Sequence, residues 1–311
     1  MSGLISLDEL DTATLHRLVD RAVQFQRDPA GHDRPLDGLV AGIMFLQTST
    51  RTRTAFSAAA LRLGAGLITF GPQDLQLNTG ESVEDTGRVF ASMLDLLVVR
   101  TKSSSSQLTA LSAGGRLPVV NAMSAEEHPT QAITDLATLR ARFGDLSGLS
   151  FLYVGEGNNS AVALAKGLRH YPGCRATFWT PAGYGLDAGL VKHSDELAAA
   201  HGGSIVQITE PDELPDEVDV VYTTRWQTTG TAKDDPRWRQ TFRPYYVDAR
   251  LLSRWPQALV MHDLPAHRGE EISADVLDGD RSIAWTQAAM KLSGALAVLE
   301  RVGLDRAATC A

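Results

Sequence analysis

The feature that most constrains this 311-residue chain is a succession of short, unbroken apolar runs separated by stretches with helical periodicity. The runs are VAGIMFL (40–46), GLITF (66–70), DLLVV (95–99) and LPVV (117–120), then SFLYV (150–154), RATFW (175–179), SIVQI (204–208), DVVYT (219–223) and ALVMH (258–262). Runs apolar at consecutive positions must be covered on both faces, the condition of strands inside a parallel sheet; a half-solvated antiparallel sheet would alternate. Between them, Leu15, Leu18, Val19, Ala22 and Val23 keep i, i+3, i+4 spacing behind Asp11 as N-cap. TRTAFSAAALRLG reads as a helix stopped by Gly64, Ser82 opens one through Met93, and a long helix covers 129–143. The glycine turn after 154 leads into a helix that ends near His170, and Ser103–Ser106 reads as a solvated loop. The pattern predicts an α/β chain with two doubly wound parallel-sheet domains joined by interdomain helices. A last helix, about Gln287 to Arg301, could pack on either domain.

Composition narrows the function classes. A length of 311 residues suits two domains, and 43% hydrophobic with 21% charged residues is ordinary for a soluble protein. Lys and Arg number 29 against 37 Asp and Glu, so the net charge of −8 argues against a general nucleic-acid binder while allowing one phosphate site. No apolar stretch reaches the ~20 residues of a membrane span. The start, MSGLISLDELDTATL, has no signal-peptide pattern, and Cys174 and Cys310 make neither a disulfide framework nor a metal cluster. The expectation is a cytoplasmic protein without a metal.

Five stretches could carry chemistry. Phe45 to Phe56 (FLQTSTRTRTAF) puts Ser49, Thr50, Arg51 and Thr52 where a buried strand meets a helix, so that free backbone N–H groups, hydroxyls and a guanidinium suit an anion such as phosphate. The plain alternative is an N-cap followed by two solvated arginines. His128-Pro-Thr-Gln131 opens the long helix, with proline in its first turn, so histidine and amide can face one site; alone they could be a cap and a surface residue. Arg100 ends a strand, where open α/β sheets bind ligands. Gly155-Glu-Gly-Asn-Asn-Ser160 half matches a dinucleotide loop, but Ser160 replaces the third glycine and Thr180-Pro181 follows the next strand where a ribose-binding acid is needed. Nicotinamide binding is disfavoured. The loop His262 to Glu270, stiffened by Pro265, is either a site wall or a charged turn in water.

Together these stretches resemble the aspartate/ornithine carbamoyltransferase family, its ornithine branch most closely. The resemblance rests on STRTRTAF, GESVEDTGRVF, HPTQAITDLATL, YVGEGNN, DVVYT..W, FRPYYV and HDLPAHRGEEI with DVLDG, and runs over nearly the whole chain. It implies a carbamoyl-phosphate domain at 1–137, an amine-substrate domain at 138–286, and a C-terminal helix, 287–311, packing back on the first. It also implies transfer of a carbamoyl group from carbamoyl phosphate to an amine, giving a ureido product and phosphate with no cofactor. Ser49, Thr50, Arg51 and Thr52 match the phosphate turn, and Arg100, His128 and Gln131 the residues around the carbamoyl group. Leu264 and Lys291 fall at further donor positions, and Gln76 where a neighbouring subunit of a homotrimer reaches the phosphate. Asn159, Thr224, Thr228, Thr229 and Asp263 fall on the acceptor side, Asp263 beside the attacking nitrogen, where it could also act in catalysis by taking the proton lost during attack. On this resemblance Thr52, Arg100 and His128 stabilise charge on the carbonyl oxygen, and Gln131 holds the carbamoyl NH₂.

The departures from the branch gather on the acceptor side. The H-C-L-P cysteine is Asp263, the aspartate that pairs with the substrate's α-ammonium is Thr224, and Lys291 stands where the branch has arginine. Lysine keeps the charge and loses the planar fork. The donor motifs are intact, which disfavours a non-catalytic relative. The expectation is an active carbamoyltransferase whose acceptor is not free ornithine, against the alternative of an ordinary ornithine carbamoyltransferase.

Overall fold

The computed structural model describes residues 3–29, 33–228 and 232–310, with the side chains of 307–310 left out. Clustering of contacts divides the chain into one unit of 1–141 with 290–311 and a second of 142–289.

The first unit opens with α1 (Thr12–Arg27), capped by the Asp11 carboxylate on the Thr14 N–H and buried along Leu15, Leu18, Val19, Ala22 and Val23. Then follow β1 (Val40–Phe45), α2 (Arg51–Arg62), β2 (Gly66–Phe70), α3 (Val83–Ala91), β3 (Leu96–Arg100), α4 (Ser105–Leu111), β4 (Val119–Asn121) and α5 (Pro129–Phe143). The four strands are parallel in the order β2-β1-β3-β4. α2 ends before Gly64, whose φ of +100° suits a residue without Cβ. The Ser103–Ser106 run is not simply a loop. Ser104 takes extended N-cap backbone, α4 begins at Ser105, and Leu108 and Leu111 bury one helical face. Serine favours helix starts as well as loops, and the apolar pair that decides lies beyond the run.

The second unit contains β5 (Ser150–Val154), α6 (Asn159–Leu168), β6 (Arg175–Trp179), α7 (Ala188–Ala199), β7 (Ser204–Ile208), β8 (Val220–Thr223), α8 (Trp238–Phe242), α9 (Ala249–Leu252), β9 (Leu259–His262) and α10 (Ala274–Leu277). Its five parallel strands run β7-β6-β5-β8-β9. Leu152, Val154, Val221 and Val260 pack on one face with Trp179, Val247 and Trp255, all buried. The chain leaves the first unit within α5 and returns within α11 (Ala284–Cys310), which is longer than its apolar pattern suggested. In the first unit α11 is tied to α1 by Arg21, whose guanidinium donates to both Glu300 oxygens at 2.6 and 2.7 Å.

Among the described residues no helix is long and apolar enough to cross a membrane. Cys174 is a free thiol, 1% exposed, and burial pushes it up to about 12. A thiolate is the nucleophile toward alkylating reagents, so Cys174 should react only after unfolding. Alkylation of Cys174 in native protein as fast as in urea, read by peptide mass, would contradict this burial.

Candidate active site

In the first unit the strand order reverses between β1 and β3, and open α/β sheets bind ligands beyond the carboxyl ends of strands at such a point. Phe45 and Arg100 are register partners at those ends, so the Ser49–Thr52 turn and the Arg100 side chain leave the sheet side by side. Thr50 stands at the N-cap of α2, yet its backbone is already helical and its side chain makes no capping bond. The plain N-cap reading of this turn therefore fails. Arg51 is half-buried, Thr52 buried and Arg53 exposed, so the two arginines are not equivalent.

Thr52, Phe56, His128, Thr130, Thr134 and Lys291 line one small cavity. His128 precedes α5 and is 5% exposed, with Nδ1 3.4 Å from the Thr130 hydroxyl. Burial, then the positive charges of Arg100 and Lys291, hold its pKa well below the usual 6.5. The ring is thus neutral at pH 7. The sign of the stability effect follows: as pH falls from 6.5, the unfolded chain takes up a proton that the folded chain refuses. The contribution is complete above 6.5 and is lost toward the folded value. His128→Gln should flatten the fall of the urea midpoint as pH drops below 6.5; an unchanged slope would contradict a neutral buried ring.

Gln131 is 2% exposed, and its amide is engaged within the protein. The amide oxygen accepts from the Lys291 ammonium, and the amide NH₂ donates to Asp135 at 2.8 Å. A donor ammonium and an acceptor carboxylate leave one amide orientation. The arrangement has a physical cause. Lys291 is buried on the returning helix, and a buried ammonium needs an acceptor as well as a nearby carboxylate, which Gln131 and Asp135 supply in line. Asp135 sits four residues after Gln131 on one helix face, a pairing visible in the sequence but overlooked. Gln76 is exposed, in a short turn where its side-chain oxygen accepts from Thr79 at 2.8 Å.

In the second unit the order reverses between β5 and β8. Val154, Thr223 and His262 are aligned across β5, β8 and β9, so the residues that follow emerge at one level. That register sets Thr224 beside Asp263. The Thr224 hydroxyl donates to Asp263 Oδ1 at 2.8 Å and the Ser160 hydroxyl to Oδ2 at 3.1 Å. Ser160 had mattered only as a missing glycine; nothing local in the sequence announces its partner 103 residues away. Asn158 caps α6 by accepting from the Ser160 and Ala161 N–H groups, and Asn159 is buried in the first turn.

The glycines of GEGNN have a packing explanation. A Cβ on Gly157 would lie 2.4 Å from the backbone of Gly185 and Leu186, so the turn is pressed against the segment after β6. Glu156 accepts from the Thr228 N–H and hydroxyl at 3.2 and 3.1 Å and pairs with Lys233. The Lys233 ammonium also lies 4.7 Å from the Tyr184 ring centre and 4.8 Å from that of Phe242. Thr228 is thus tied to the turn after β5, while Thr229 lies outside the described residues. Leu264 is half-buried with φ of +52°, a sparsely populated conformation for a side chain with Cβ.

Residues 3–141 match the family described as aspartate/ornithine carbamoyltransferase, carbamoyl-P binding domain, and residues 147–302 its Asp/Orn binding domain. The chain is 37% identical over 297 residues to the ornithine carbamoyltransferase of Gloeobacter violaceus, covering 95% of this chain and 94% of that one. It is also 37% identical to that of Symbiobacterium thermophilum over 298 residues, covering 95% and 96%. Among solved structures, ornithine carbamoyltransferase from Pyrococcus furiosus superposes with a TM-score of 0.89 at 32% identity, covering 96% of each chain. The Gloeobacter violaceus enzyme gives 0.85 at 36% identity, covering 97% and 98%. Matched over both units, in sequence and in fold, this chain belongs to the aspartate/ornithine carbamoyltransferase family and is a carbamoyltransferase.

Proposed function

We propose that the chain moves the carbamoyl group of carbamoyl phosphate to the side-chain amine of ornithine, giving the ureido amino acid and phosphate. The observation that carries the ornithine reading is the pair Thr224–Asp263. The expectation of another acceptor rested on the loss of a carboxylate at 224. The sheet register sets Asp263 directly beside that position, so a negative charge stands next to the place where the branch keeps one. The relatives named above, all ornithine carbamoyltransferases, support the same acceptor.

On this reading the first unit holds the donor. Arg51 and the N–H groups opening α2 take the phosphate with Ser49, Thr50 and Thr52, which favours its departure as a dianion. The ring proton of His128 then sits on Nε2, with Nδ1 turned to the Thr130 hydroxyl 3.4 Å away, and this N–H with Arg100 and Thr52 faces the carbamoyl oxygen. Donors fixed on an oxygen that gains charge as the neutral amine attacks stabilise the transition state more than the ground state. A neutral imidazole keeps one N–H to donate, so the low pKa of His128 suits the role. In the second unit Asp263 takes the α-ammonium, and Asn159, Thr224 and Thr228 line the acceptor. Lys291 completes the donor side through Gln131.

The test is a panel of ornithine, its shorter and longer homologues, simple diamines and their acylated forms, each with saturating carbamoyl phosphate, scored by phosphate release and product mass. Ornithine should lead. A lead by any other amine would restore the alternative acceptor, and no transfer to any would overturn the reading.

We also infer a homotrimer in which Gln76 reaches a neighbouring subunit's phosphate. Among the described residues β2 is an edge strand whose outer side pairs with no other strand, and Leu61, Ile68, Val89 and Met93 expose apolar side chains on the same unit. Such surface supports burial between copies. Sedimentation equilibrium should give three times the chain mass; a monomer at full activity would exclude the shared site.

A further inference from the structure

The turn after β9 carries Asp263 and Leu264, and its ties converge on two buried groups that no role above uses. His262 and Glu271 are both 0% exposed. The Leu264 N–H donates to His262 Nδ1 at 2.8 Å, so Nδ1 offers its lone pair and the ring proton resides on Nε2. Nε2 in turn faces Glu271 Oε1 at 3.1 Å. The same oxygen accepts the N–H of His267, so one carboxylate oxygen ties both ends of the segment 262–267. Glu271 is itself anchored, because its carbonyl accepts from the Val247 N–H at 2.9 Å. On the opposite side the His262 N–H donates to the buried Gln287 side chain at 2.9 Å. Leu264 holds its left-handed backbone within this frame. A ring protonated on Nδ1 instead would lose the Leu264 bond and face Asp263 Oδ1, 3.7 Å away.

We propose that His262 and Glu271 are positioning residues for carbamoyl transfer. Glu271 fixes the tautomer and plane of the His262 ring, and Nδ1 holds the Leu264 N–H so that the Asp263 carboxylate is presented to the acceptor's ammonium. Neither residue touches substrate. The inference rests on the reading that Asp263 binds that ammonium, and it adds which groups aim it.

The experiment uses the full chain and three variants. His262→Ala should lower kcat/KM for ornithine by about 100-fold, as misplacement of a binding group does. Carbamoyl phosphate affinity, measured by calorimetry, should stay within about twofold, since the phosphate-binding turn Ser49–Thr52 with Arg100 and His128 lies in the other unit. His262→Asn sets an oxygen near the place of Nδ1 and should recover about tenfold of the loss by restoring the Leu264 bond. Glu271→Gln keeps an accepting oxygen and should cost less than His262→Ala. Amide exchange at Leu264 gives a readout independent of acceptor: protected in the parent and His262→Asn, fast in His262→Ala. Equal protection in His262→Ala and the parent overturns the proposal, as does an Asn variant no better than Ala. Should His262→Ala fail to fold, ¹⁵N spectra of the parent decide, with unprotonated Nδ1 and protonated Nε2 expected and the reverse tautomer overturning it. A parent inactive toward ornithine would mean that the acceptor reading had failed, and the Leu264 exchange would still decide whether His262 holds the turn.

Discussion

Asp263→Asn should cut kcat/KM for ornithine by about 100-fold, or about 2.7 kcal/mol, while carbamoyl phosphate binds as before. The carboxylate is half-buried and held by two hydroxyls, Thr224 on one oxygen and Ser160 on the other, so it is fixed before any ligand arrives. An ammonium removed from water needs a charge to offset its lost hydration, and a neutral amide supplies only a dipole. The sharper form of the experiment moves the charge. Thr224 and Asp263 leave adjacent strands at the same level, so Thr224→Asp combined with Asp263→Cys restores the arrangement that the ornithine branch resembles. The double variant should regain most of what Asp263→Asn loses, whereas Thr224→Asp alone sets two carboxylates within contact and should bind poorly. Near-parental kinetics in Asp263→Asn would remove Asp263 from the acceptor site.

The second large effect belongs to Arg51. Arg51→Ala should weaken carbamoyl phosphate by about 100-fold or more in calorimetry, because a guanidinium gives a phosphate paired charge-assisted bonds. What remains, the start of α2, contributes only about 0.3–1 kcal/mol. The neighbouring Arg53 is exposed, so Arg53→Ala provides the contrast and should bind nearly as the parent does. Equal losses in the two variants would mean that net charge, not the Arg51 position, governs donor binding.

The two-sheet architecture was legible because the inner strands are buried on both faces and so appear as unbroken apolar runs, a pattern that the partly exposed edge strands β2 and β7 largely share. Each of the nine runs contains a strand. α4 was hidden behind its serines, and the length of α11 behind a pattern that fades toward the C-terminus. In the donor half the motif residues Ser49 to Thr52 and His128 to Gln131 are contiguous, so local geometry decides their direction. The acceptor half was read less well for a definable reason. The residues that matter there meet through strand register: Thr224 with Asp263, Asp263 with Ser160, Glu156 with Lys233. Register is a long-range property, so the carboxylate of Asp263 beside Thr224 could not be read from either stretch alone. The Gln131 contact was hidden for the complementary reason: its partner Lys291 lies 160 residues away on the returning helix.

The central claim is carbamoyl transfer to ornithine. The most direct measurement follows ¹³C-carbamoyl phosphate by NMR in the presence of enzyme and ornithine. The account predicts that the labelled carbon appears in a ureido group on the side-chain nitrogen, one for each phosphate released, at a rate that falls together with ornithine binding in Asp263→Asn. Label recovered only as carbonate or cyanate breakdown products, with no carbamoylated amino acid, would contradict it.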